Sequence, residues 1–146
     1  VADTVRREME GRRLPQGFLL DQRSRAPGKW RGVSAFLSGI VRQMATASLI
    51  GASLDPDVGI LPPQRKLGFA DDLCYILKPE IDLQAALFVE KDRESDFLAN
   101  TPNRCTLSKQ GIRRLITLFE ERKPMVRENM EAIVRSFINL FADLRA

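Results

Sequence analysis

The sequence predicts an all-α fold: a single domain of about five to six helices around a central buried helix at about residues 33–53, with no substantial sheet. Three observations carry this. Val33 to Ser53 is long, apolar and crowded with Ala, Ser and Gly, and small residues let neighbouring helices approach closely. Apolar residues recur at helical spacing through most of the remaining chain, most clearly at Val126, Met130, Ile133, Val134, Phe137, Phe141 and Leu144. The one strand-like piece, Phe18-Leu19-Leu20, is too short to build a sheet. At 146 residues, 44% hydrophobic and 29% charged, the chain has the length and composition of one soluble core.

Taken in order, Val1 to Gly11 reads as a short helix ended by its glycine, and residues 14–32 as irregular, broken by Pro15, Gly17, Pro27 and Gly28. The central helix leads into the turn-rich loop L-D-P-D-V-G-I-L-P-P-Q-R-K at 54–66. There Asp55-Pro56 and Gly59 set turns and Pro62-Pro63 stops regular structure. A helix from about Phe69 to Lys78 follows. Pro79 then opens the first turn of another, with Ile81, Ala85, Leu87 and Phe88 inward. N-T-P-N-R-C-T breaks the chain. Ser108 suits the N-cap of a helix buried through Ile112, Leu115, Ile116 and Phe119, and Pro124 resets the chain before the last helix.

Charge is unevenly spread. Residues 1–31 carry eight basic against four acidic side chains, the whole net charge of +4, while the other 115 residues carry 15 of each. The expected organisation is a basic, Arg-rich arm at 1–31 before a helical domain at 32–146. Guanidinium forks match phosphate oxygens, and an aromatic ring can stack on a base. Arg23, Arg25, Lys29, Trp30 and Arg31 are therefore DNA-binding candidates, with Arg65 and Lys66 in the loop as secondary ones. A solvated linker is the other reading of the same residues.

The chain contains no histidine, which removes the commonest general base and the commonest transition-metal ligand. Cys74 and Cys105 are the only cysteines and suit two free thiols in a reducing cytoplasm. The amino-terminal residues lack a signal-peptide pattern. Arg42 and Gln43 in the middle of the apolar helix argue for a core role over a membrane span. The acids that could pair are Asp71-Asp72 before the helix and Asp55 with Asp57 in the loop, and Asp71 and Asp72 are the metal candidates. Adjacent carboxylates can hold Mg²⁺ or Mn²⁺, but they also suit a helix N-terminus. No glycine-rich phosphate loop or nucleophile elbow occurs.

Three stretches together resemble a family. S-A-F-L-S-G-I-V, L-D-P-D-V-G-I-L and F-A-D-D-L-C-Y-I-L-K-P, followed by T-L-S-K-Q-G-I-R-R-L-I-T-L-F-E-E-R, look like the carboxy-terminal helical domain of the CRISPR-associated integrase Cas one. The likeness covers roughly residues 20–146. Its loop motif is fairly specific and its helices are generic. The family's amino-terminal β domain, its usual dimer surface, has no counterpart in these residues.

The resemblance implies an antiviral-defence endonuclease or integrase that holds Mg²⁺ or Mn²⁺ through a Glu, a His and an acid. Here the His position falls on Pro62 and the last acid on Tyr75, with Asp72 at a nearby position that is usually acidic. Glu8 and Glu10 are the acids near the place of the upstream Glu. The expectation is a degenerate, non-catalytic module that needs no cofactor and acts by binding DNA, an intact integrase or a second copy of itself. A divergent metal-dependent nuclease and a helical interaction module unrelated to nucleic acid are the alternatives.

Overall fold

The computed structural model describes residues 1–12, 14, 17–58, 68–101 and 104–145. They form six α-helices and one small hairpin: α1 (Ala2–Gly11), α2 (Phe18–Arg25), α3 (Pro27–Gly51), α4 (Gly68–Ile76), α5 (Lys78–Glu90), β1 (Phe97–Thr101), β2 (Arg104–Leu107) and α6 (Lys109–Arg145). The fold is all-α apart from that hairpin. Two compact units divide it, Val1–Ser38 with Lys78–Arg122 and Gly39–Leu77 with Lys123–Ala146, so α3 and α6 each contribute to both.

The first unit is built on α5. Eight of its 13 residues are buried, from Glu80 to Val89, and α1 and α2 pack against it. The described residues of 1–31 are therefore anchored to the core: Val5, Phe18 and Trp30 are buried, and burying them holds the helices down. Phe18-Leu19-Leu20 begins α2 rather than a strand, and Pro27 supplies the first turn of α3, where its missing N–H is not needed. The helix expected at 33–53 thus starts six residues earlier. It is buried along one stripe (Val33, Leu37, Val41, Ala45, Leu49), while Gly39, Arg42, Gln43, Ala47 and Ile50 face solvent. By length and composition α3 could cross a membrane, but its mid-helix Arg42 makes an ion pair with Asp71.

Two charged clusters tie the first unit together. Arg122 donates to both carboxylate oxygens of Glu80, at 2.7 and 2.9 Å, and also pairs with Glu8 of α1, which Arg12 contacts at 2.9 Å. Glu80 and Arg122 are only 2% and 8% exposed. The hydrogen bond to Glu80, working against burial, raises the Arg122 pKa.

The second cluster is at the start of α6. Asp96 Oδ2 accepts from the Arg93 backbone N–H at 2.8 Å and from Arg114 at 2.8 and 3.1 Å, and the Arg114 guanidinium lies 3.9 Å from the Phe88 ring centroid. Ser108 caps α6 as expected, accepting from Gly111 N–H at 3.0 Å while donating to the Ser95 carbonyl. Gly111 is required there, because a Cβ would overlap the Asp96 carbonyl.

Of the two breaks expected in the second half of the chain, the first is present as a hairpin and the second is absent. The helices stop between Glu90 and Lys109, where an antiparallel hairpin overlapping N-T-P-N-R-C-T pairs Phe97 with Leu107 and Thr101 with Arg104, with a register shift after Phe97. Pro124 sits inside a continuous 37-residue α6. An interior proline costs about 3 kcal/mol in an isolated helix, and burial of Arg122, Val126 and Met130 on either side of it offsets that here. The apolar stripe of α6 is buried at Val126, Met130 and Val134, half-buried at Ile133, Phe137 and Phe141, and open at Leu144.

Arg122→Met is expected to destabilise the protein by about 3–5 kcal/mol in urea unfolding, because Glu80 would be left charged and unpaired in the core. Glu8→Gln should be much milder, since Arg122 keeps both bonds to Glu80.

Asp96 yields a pH prediction. Burial pushes its carboxyl upward, but the bonds from Arg114 and Arg93 outweigh burial and leave the pKa below the ordinary value. A carboxyl depressed by folding adds stability above its unfolded pKa and loses it as pH falls through the folded value. Acid unfolding below about pH 4 should therefore be less steep in Asp96→Asn than in the parent chain, measured by circular dichroism.

Candidate functional site

The site built from the most specific motif belongs to the second unit: the end of α3, the Leu54-Asp55-Pro56 turn and α4. The chain leaves α3 through two hydrogen bonds, Leu54 N–H to the Leu49 carbonyl at 2.9 Å and Ser53 N–H to the Ile50 carbonyl at 3.0 Å. This closure needs a left-handed residue, and Ser53 takes that role with φ 61° where glycine is usual. Asp55 Oδ1 then accepts from Asp57 N–H at 2.9 Å, fixing the turn. The Pro56 carbonyl accepts from Phe69 N–H at 3.0 Å and Ala70 N–H at 3.4 Å. The L-D-P turn thereby caps α4, and the two motif segments are one hydrogen-bonded piece.

On α4 the two acids have different surroundings. Asp71 Oδ1 lies 3.0 Å from Arg42 Nε. Asp72 is buried, 6% exposed, whereas Tyr75 three residues on is 70% exposed. Phe69 anchors the helix edge-on against Phe137, with centroids 5.4 Å apart. Burial, followed by the charge of Asp71 and opposed by Arg42, pushes the Cys74 thiol up to about 11. Both cysteines are free, as expected. Pro62, Arg65 and Lys66 lie outside the described residues.

The divalent cation implied by the resemblance does not fit the donors that are described. Asp71 is engaged by a guanidinium, whose positive charge opposes a cation beside it. Asp72 points into the unit and Tyr75 to solvent, so the two do not converge on one point. Among the described residues no group of three or more His, Cys, Asp or Glu side chains could hold a metal. Of the upstream acids, Glu8 is paired with Arg12 and Arg122 in the first unit, and Glu10 is exposed on α1.

The basic candidates of the first unit separate into two kinds. Trp30 is 7% exposed and belongs to the core, so its ring is not open to a base. Lys29 pairs with Asp92 and lies 5.2 Å from the Phe97 ring centroid. Arg25 donates to the Val89 carbonyl at 2.9 Å and to Gln22 at 3.0 Å. Arg23 and Arg31 are exposed and have no partner among the described residues. The pairing of Arg42 with Asp71 was missed in the sequence, although a lone charge inside an apolar helix signals a partner elsewhere.

Scans of the sequence against protein-family models and curated proteins, and of the fold against solved structures, return no match.

A thiol held near 11 is almost entirely protonated at neutral pH, so Cys74 should react slowly with iodoacetamide at pH 8 and quicken steeply only towards pH 11. Mass spectrometry of the labelled peptide over a pH series checks this, and Asp71→Asn should move the rise to lower pH.

Proposed function

We propose that this chain is a non-catalytic module of the Cas one kind, a degenerate form of the integrase's helical domain, that acts by binding DNA in CRISPR adaptation. The observation that carries the reading is the cap made by the Pro56 carbonyl on α4. The Leu-Asp-Pro turn and the acid-bearing helix, which supply the most specific part of the resemblance, form one structural piece, as an inherited site would.

Loss of catalysis follows from donor chemistry. Proline offers no side-chain donor at the position of the family's histidine. Tyr75 offers a phenol, not a carboxylate, at that of an acid. The acid next to the shared position, Asp71, is held by Arg42.

Arg23 and Arg31, whose guanidinium groups have no partner among the described residues, support phosphate contact, and Arg65 and Lys66 are secondary contacts in this reading. Lys29 and Trp30 serve the fold instead, which revises the binding set drawn from the sequence.

Fluorescence anisotropy on duplex and branched DNA between 50 and 200 mM salt tests this. Binding should fall steeply with salt. Arg23→Glu with Arg31→Glu should reduce the log–log slope by roughly two units, one for each lost phosphate contact. Lys29→Ala and Trp30→Ala should lower the unfolding midpoint and leave the slope unchanged. Absence of salt-dependent binding would overturn the proposal. Mg²⁺- or Mn²⁺-dependent cleavage that vanishes in Asp72→Ala would replace it with the divergent-nuclease reading.

A further inference from the structure

On the carboxy-terminal part of α6, Glu131, Val134, Ile138, Phe141 and Arg145 follow one another at intervals of three and four residues, the spacing of a helix-pairing seam. Val134 is already buried within the second unit. Ile138 is 39% exposed, Phe141 is half-buried, and Glu131 and Arg145 are exposed with no partner among the described residues. The seam borders a trough whose other wall is the end of α3: Ser48, Gly51 and Ala52 at one end, Ala52, Ser53 and Leu54 at the other. That wall is mostly small, and a Cβ at Gly51 would meet nothing within 4 Å, so the trough is open at that point.

We propose that this trough is the interface of an isologous homodimer, occupied by α6 of a second copy of this chain running antiparallel. The charges argue for that occupant. Glu131 and Arg145 stand seven residues on either side of Ile138, about 21 Å apart along the helix. A two-fold axis at Ile138 sets Glu131 of each copy against Arg145 of the other, with Val134, Ile138 and Phe141 between the two pairs and Arg135 beside them. A parallel pairing in the same register would oppose Glu131 to Glu131 and Arg145 to Arg145, so the like charges select the antiparallel orientation. Self-complementarity of this kind has no use against an unrelated partner.

Charge exchange tests the interface without touching the core. The parent chain should sediment as a dimer at micromolar concentration. Glu131→Arg alone, and Arg145→Glu alone, should each weaken dimerisation about tenfold by turning two attractions into two repulsions. The double variant E131R/R145E should recover the parent affinity. Gly51→Leu, projecting into the trough, should give a monomer with unchanged circular dichroism. A parent chain that stays monomeric at its highest soluble concentration would overturn the proposal. So would a dimer indifferent to Glu131→Arg, or single losses that the double variant fails to repair.

Discussion

The contact on which the first unit depends is the buried pair of Arg122 and Glu80. Glu80 lies in the first turn of α5, the helix that α1 and α2 pack against, and at 2% exposure its charge must be matched from within the protein. Arg122 matches it with two bonds and reaches Glu8 with its remaining nitrogen, so parts of the chain 42 and 114 residues away meet at one guanidinium. A lysine could not replace it, because one ammonium cannot present a planar fork to Glu80 and a further donor to Glu8. The Asp96–Arg114 cluster fixes the hairpin to α6 by the same chemistry, with Ser108 and Gly111 adjusting the backbone around it.

Most helices were legible because their signals are local: a small-residue run for α3, Ser108 as a cap, a stripe of apolar side chains in α6. Where the reading failed, tertiary burial overrode a local rule. Pro124 reads as a stop, yet α6 continues because both flanks are buried. Gly17, Pro27 and Gly28 read as a loose linker. Trp30, Val5 and Phe18, however, are large apolar groups with nowhere better to go than the core. The hairpin was missed because its strands are only five and four residues long and carry no sustained alternation.

The site was legible to the same degree. The sequence located the turn and α4, since Asp55-Pro56 and Asp71-Asp72 are recognisable in a short window. What it could not supply were the partners from elsewhere in the chain. Arg42, placed by α3, occupies Asp71, and Asp92 occupies Lys29 across 63 residues of sequence. Basic composition alone does not separate a guanidinium with no partner among the described residues, such as Arg23, from one already spent on a carbonyl, such as Arg25. A composition count therefore overstates the positive surface of the first 31 residues.

The burial of Trp30 has a practical side. The chain holds a single tryptophan and a single tyrosine, and they fall in different units: Trp30 in the core of the first, Tyr75 on the surface of the second. The protein thus carries one natural chromophore per unit. Excitation selective for the indole reports the first unit alone, its emission shifting to the red as water reaches the ring. Whether that shift coincides with the loss of overall helical ellipticity then reveals whether the two units melt together or in turn, with no label and no substitution.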